Sequence, residues 1–370
     1  MIDTAYENPY LLMTPGPLST TEGVRKAMMR DWCTWDDDYK EITQAIRSRL
    51  IQLGECTPDH YTAVLLQGSG TYVVESVLTT VLDDDSKLLV LENGAYGRRM
   101  STIAKTARIP FDIHSFGETN PVDPKVVAAR LDADPSITHV AFVHCETTTG
   151  MVNPLEEVVR VIKQRERSVI VDTMSSFGGM PISIEALQID FLISSANKCL
   201  QGVPGFGFVI ANTNALAQCE GRARSHSLDL FDQWKVMEEH GGKWRFTSPT
   251  HVVHAFHQAL MELETEGGIP ARAARYAENQ ARLVDGMRTA GFHALLPKAQ
   301  QSPVITSFLY PSADFSFAAF YESLKNQGYV IYPGKLTEQM TFRIGTIGDI
   351  HPGDIDQFVR VVSRLHRFHR

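Results

Sequence analysis

The chain has 370 residues, 43% hydrophobic and 21% charged, which suits a globular protein with one large core or two domains. Its net charge of −8 offers no basic field to nucleic acid or a membrane surface, so an anionic ligand must be held by local donors. The opening "MIDTAYENPYLLM" lacks the basic and apolar regions of a signal peptide, and no run reaches the ~18 apolar residues of a membrane span. Cys33, Cys56, Cys145, Cys199 and Cys219 are scattered, with no CxxC pair and no disulfide pattern, so the expected location is the reducing cytosol.

In chain order, "NPYLLMTPGPLST" is rich in Pro and Gly and reads as an extended arm. "YTAVLLQ" is a short apolar strand, followed by Gly68-Ser69-Gly70-Thr71 and the helical "YVVESVLTTVL". "KLLVLE" precedes "NGAYGRRMSTIAKTA", "THVAFVHCE" precedes "PLEEVVRVIKQRE", and "SVIVDT", "DFLISS" and "FGFVIA" follow. Short all-apolar strands between helices predict an α/β fold with a mostly parallel sheet covered on both faces. In such sheets, ligands gather at the carboxyl ends of the strands. Beyond residue 250 come a helix ended by Gly267-Gly268, a long charged amphipathic helix stopped by Gly291, and short strands and helices of a smaller α+β module. The expected division is a large domain over 16–265 and a small one over 266–370, with the arm 1–15 packing on the latter.

Three features carry chemistry. The strand–GSGT–helix stretch presents free N–H groups, the positive end of a helix and the hydroxyls of Ser69 and Thr71, which together make a phosphate cup. It is neither a Walker A loop nor a GxGxxG fingerprint, and a plain capped turn is the competing reading. Asp172 ends a very apolar strand, where a carboxylate is costly without a cationic partner. A cap or a metal ligand competes, but no His, Cys or carboxylate stands at ligand spacing. Lys198 lies at the mouth of the next apolar strand, among Gly202, Pro204, Gly205 and Gly207. Burial there lowers an amine's pKa and makes it nucleophilic, as a Schiff-base lysine requires, and the glycines are expected to clear room for a ring. A phosphate cup, a carboxylate for a pyridinium nitrogen and an amine for an aldehyde are the three needs of pyridoxal 5′-phosphate. Tyr96 follows another strand and offers a face to stack on such a ring, though a packed loop tyrosine reads equally well.

These motifs, with "CTWDDDY", "HCETTTGMVNP", "KWRFTSPTH", "YVIYPGK" and "FRIGTIG", resemble the class V aminotransferases of fold type I over nearly the whole length. The resemblance implies that Lys198 bonds the cofactor aldehyde and acts as general base, and that Asp172 holds the pyridinium. It implies that Ser69, Gly70 and Thr71 bind the phosphate, Tyr96 stacks on the ring and Thr148 stands near its hydroxyl side. Thr247 would reach in from the second subunit of a homodimer, and Arg343 would bind the acidic group of the substrate. "TWDDDY", "SSANKCLQGVPGF" and "KWRFTSPTH" are more specific. They resemble the branch whose amino donor is 2-aminoethylphosphonate and whose acceptor is pyruvate; an alanine–glyoxylate or serine–pyruvate type enzyme is the alternative. Arg98, Arg99, Lys243 and Arg245 are further candidates for the phosphonate, each also readable as a surface cation. The cluster Asp36-Asp37-Asp38 reads as solvated or capping, with a metal site as the lesser alternative. A non-catalytic binding protein that retains this fold is the competing class.

Overall fold

The computed structural model describes residues 8–337 and 339–367, and the first seven residues of the expected arm lie outside them. Seven strands form the central sheet: β1 (Tyr61–Gln67), β2 (Leu88–Glu92), β3 (Phe111–Ser115), β4 (His139–Val143), β5 (Ser168–Asp172), β6 (Phe191–Ser195) and β7 (Phe206–Asn212). Their spatial order is β1-β7-β6-β5-β4-β2-β3. Pairs from β6 to β3 are parallel, while β7 runs antiparallel to both of its neighbours. The inner strands are buried on both faces, which is why they read as unbroken Val, Ile, Leu and Phe. Strand β3 is the exception. It sits at the sheet edge, half exposed, and its sequence FDIHS carries no apolar run to announce it.

Helices α1 (Gly70–Val81) and α2 (Ala95–Thr106) follow β1 and β2 directly, so their N-termini sit at the carboxyl edge of the sheet. Helix α3 (Thr250–Glu266) ends at Gly267, whose φ of 108° is left-handed, and α4 (Gly268–Thr289) starts at once. The main core gathers the sheet and its covering helices, from Tyr39 to Ile269. A second core joins Leu283 and Met287 of α4 to Phe308, Phe342, Phe358 and Val362. It lies against a small antiparallel sheet of β8 (Ile305–Leu309), β9 (Tyr332–Pro333) and β10 (Thr341–Gly345) in the order β8-β10-β9. No helix among the described residues is long and apolar enough to cross a membrane.

The N-terminal segment ties this second core to the first. Leu11–Leu12 pairs in parallel with Tyr329–Val330, and Met13 is buried in the second core. Past Met13 the segment runs over β10, where the Gly345 N–H donates to the Met13 carbonyl at 2.9 Å. A side chain on Gly345 would collide with the Thr14 carbonyl. Gly345→Ala is therefore expected to cost about 1–3 kcal/mol by overpacking. Urea denaturation measures this, and an unchanged midpoint would show that the segment has room to move.

Candidate active site

A cavity of about 620 Å³ opens at the carboxyl edge of the sheet. Ser69, Gly70, Thr71, Tyr96, Asp172 and Lys198 all line it, so residues up to 129 positions apart meet in one space. Ser69, Gly70 and Thr71 follow β1, Tyr96 follows β2, Asp172 ends β5 and Lys198 follows β6. The shared edge arises from strand direction: β2, β5 and β6 lie in the parallel run, and β1, two antiparallel pairings away from β6, points the same way.

Lys198 leaves the sheet three residues after β6. Its Nζ donates to the carbonyls of Pro15 at 2.9 Å and Gly16 at 3.4 Å. Burial lowers its pKa, while the negative ends of Tyr96, Cys199 and Asp172 pull the other way. Gly16 has φ 109°, and a Cβ there would lie 2.7 Å from Lys198 Cδ, so the segment passes this close only as glycine. The turn after the lysine is fixed by Gln201, itself at φ 62°, whose amide donates to Tyr276 Oη at 2.6 Å and the Gly348 carbonyl at 2.8 Å. The glycines beyond it divide their work differently from the sequence-based expectation. Gly205 lines the cavity, but Gly202 makes room for Phe256 and the Ala196 carbonyl, and Gly207 for Val73 of α1. Two of the three serve packing of the wall, not clearance for a ligand.

Asp172 ends β5, paired with Val143 and Ile193 in the two flanking strands. It is 4% exposed and makes no ion pair among the described residues; one oxygen accepts from the Met174 N–H at 2.8 Å. Burial pushes its pKa up to about 6, helped by the charge of Glu146 and opposed by Arg99 and Lys198. Beside it, His144 is buried against Ser176 at 3.0 Å, and burial pushes its pKa down to about 4, so it adds no positive charge near neutral pH. Asp172 is thus a buried carboxylate with one N–H donor and no cationic partner among the described residues.

Across the cavity, α1 starts at Gly70 with Ser69 as N-cap. Its first N–H groups have no intrahelical acceptors and carry the positive end of the helix. Gly68, at φ 117°, donates to the Gly205 carbonyl at 2.9 Å and so ties this cup to the lysine loop. Arg99 of α2 donates to Thr71 Oγ1 at 2.9 Å and lies 4.8 Å from the Tyr96 ring centroid. It lines the cavity without an ion pair among the described residues, which makes it a wall cation rather than a surface one. The Tyr96 phenol is raised by burial, but the hydrogen bond with Thr147 and the charges of Lys198 and Lys335 outweigh this and lower it.

Glu146 is a buried acid of this cluster that the sequence does not single out. It is fully buried. Its carboxylate accepts from Thr148 Oγ1 at 2.7 Å, the Thr148 N–H at 3.2 Å and the Tyr96 N–H at 3.2 Å, and so fixes the start of α2. Its signal was the one that singled out Asp172, an acid just past a buried strand. Thr148, expected on the ring's hydroxyl side, turns its hydroxyl to Glu146, and its neighbour Thr147 lines the cavity. Arg343, 1% exposed, donates from Nε to Pro333 and from Nη1 to Thr147, both at 3.0 Å. Thr247 is exposed and does not line the cavity. Asp37 and Asp38 open a helix, with Asp37 paired to Lys40 at 2.5 Å, and no metal-binding cluster is found among the described residues.

An anion cup, a carboxylate awaiting a cation and an amine of lowered pKa suit one molecule that carries a phosphate, a protonated ring nitrogen and a carbonyl carbon. Pyridoxal 5′-phosphate has these groups, and the cavity falls within the usual 300–1,000 Å³ range of cofactor sites.

The family model for class-V aminotransferases matches residues 37–353. A 2-aminoethylphosphonate–pyruvate transaminase of Syntrophobacter fumaroxidans is 58% identical over 98% of both chains. One from Vibrio cholerae is 58% identical over 96% of this chain and 98% of its own. Among solved structures, pyridoxamine–pyruvate aminotransferase from Mesorhizobium loti superposes with a TM-score of 0.87 at 22% identity, over 97% of this chain and 93% of that one.

The burial of Asp172 has a measurable consequence. Its folded pKa of about 6 exceeds the ordinary 3.8, so the cofactor-free fold holds a proton that the unfolded chain releases. Stability from this group is full below pH ~4 and is lost as pH rises through ~6, by about 3 kcal/mol. Urea denaturation of the cofactor-free protein against Asp172→Asn, across this range, should show that difference; parallel pH curves would mean that Asp172 is not desolvated.

Proposed function

The chain belongs to the class-V aminotransferase family and has its fold-type-I architecture, and on that premise we propose that it moves the amino group of 2-aminoethylphosphonate to pyruvate with pyridoxal 5′-phosphate, giving phosphonoacetaldehyde and L-alanine. What carries the reading is the meeting of Lys198, Asp172 and the anion cup in one cavity, in a chain whose near-full-length relatives bear the name of that reaction.

Gly70 and Thr71 N–H groups and the Ser69 and Thr71 hydroxyls would hold the phosphate, with Arg99 adding charge through Thr71. Asp172 would take the protonated ring nitrogen, whose charge would keep the carboxyl ionised. Tyr96 would cover a ring face, and Thr148 would act on the hydroxyl side only indirectly, through Glu146, which its hydroxyl meets. Bound there, the cofactor supplies an aldehyde that condenses with amines and a ring that accepts the electron pair left by a departing proton. Lys198 moves that proton. Its amine, lowered by burial, takes it from the carbon of 2-aminoethylphosphonate that bears nitrogen and returns it elsewhere in the same space. The carbonyls of Pro15 and Gly16 accept from the amine and steady it while it carries the extra charge. In the second half, Lys198 delivers a proton to the central carbon of the pyruvate skeleton. Arg343 would face the acidic group of either substrate. The active unit in this reading is a cytosolic dimer. The exposed Thr247, beside exposed Phe246, would complete the cup of the other subunit.

The test is a titration of the cofactor-loaded protein, followed by absorbance. Its yellow colour should bleach with 2-aminoethylphosphonate and return with pyruvate. Bleaching by L-alanine or L-serine but not by the phosphonate would replace the donor with a carboxylate amino acid. Lys198→Ala should lose about 10²–10⁴-fold or more in turnover. Near-normal turnover in that variant would remove Lys198 from the chemistry.

A further inference from the structure

A single arginine suffices for a carboxylate, but a phosphonate has three acceptor oxygens and, like a phosphate ester, more than one negative charge near neutral pH. Most cations considered from sequence are already committed. Arg98 pairs with Glu118, Arg245 with Asp232, and Lys243 lies over Trp35. Arg99 is engaged at Thr71, on the side of the anion cup.

Resting on the function proposed above, we infer that Lys335 supplies the second cation for the donor's phosphonate and thereby selects it over carboxylate donors. Lys335 lies on the connection from β9 to β10, the hairpin that also carries Arg343. Tyr332 pairs with Arg343, Pro333 accepts from Arg343 Nε, and the Gly334 N–H donates to the Thr341 carbonyl at 2.9 Å. Both cations are therefore fixed to one backbone unit. Lys335 Nζ stands 5.9 Å from the ring centroid of Tyr96, which lines the cavity. It forms no ion pair among the described residues.

A solvated surface lysine would be the plain alternative, since Lys335 is exposed. The anchoring of its loop argues against it. Thr337 donates to Glu118 through its N–H at 3.0 Å and its hydroxyl at 3.1 Å. Glu118 in turn accepts from Arg98 of α2 at 2.9 Å, and α2 is the helix that carries Tyr96. The loop is thus held through Glu118 to α2, the helix that carries Tyr96, and Lys335 lies over the Tyr96 ring with no ion pair among the described residues.

The experiment compares wild type, Lys335→Met and Lys335→Arg, each loaded with cofactor. It measures the half-reaction dissociation constant of 2-aminoethylphosphonate, that of pyruvate with the aminated enzyme, and calorimetric binding of ethylphosphonate, which cannot react. Lys335→Met should weaken both phosphonates about tenfold and pyruvate no more than about twofold, with Lys335→Arg recovering most of the loss. Equal losses for phosphonate and pyruvate, or no loss, would overturn the assignment. If wild type itself ignores 2-aminoethylphosphonate, the proposed function falls with it. If wild type responds and Lys335→Met responds equally, only the lysine assignment falls.

Discussion

Desolvated charge at the carboxyl edge of the sheet is the constraint on which the rest depends. Asp172, Glu146 and Lys198 stand where apolar strands end, and burial shifts the pKa of each, up for the two acids and down for the lysine. The three are handled differently. Glu146 is satisfied internally by hydroxyl and N–H donors and organises a helix start. Lys198 leans on two carbonyls, which favour its charged form without neutralising it. Asp172 has a single N–H donor and is left wanting a cation. That inequality separates an internally satisfied acid from a poorly satisfied one within one cluster.

The two cores meet at the lysine. Leu18, Cys199, Tyr276, Val304 and Ile347 form a small cluster of their own, with contributions from both parts of the chain, and Cys199 adjoins Lys198. The N-terminal segment adds a second connection, since it pairs with Tyr329–Val330 and then presents Pro15 and Gly16 to the amine. The position of the Lys198 nitrogen is therefore set by packing in both cores, and a change in either reaches it.

The buried strands, the GSGT cup, Asp172 and Lys198 were legible in sequence because burial on both faces leaves an unmistakable apolar run, and a polar residue at its end stands out. Strand β3 was not, because an edge strand with one wet face has no such run. Nor was the direction of β7, since an apolar run is the same read either way. Arg99 looked like its neighbour Arg98; only the helical turn decides that one faces Thr71 and the other Glu118. Thr148 shows the same limit, where a run of three threonines does not tell which hydroxyl meets the cavity and which meets Glu146.

The reversed strand has a mechanical consequence. A parallel successor to β6 would need a crossover of a dozen residues or more, returning from the far edge of the sheet. Because β7 is antiparallel, the chain instead turns back at the cavity edge, and only residues 196–205 separate the two strands. Lys198 is thus slung on a short bridge whose abutments are adjacent strands of one sheet, with Gln201 as a strut to Tyr276 and the Gly348 carbonyl. Such a bridge has little freedom to sway. Movement of the nitrogen is left to the torsions of the lysine side chain, four methylenes long, which swing it along an arc while its Cα stays still.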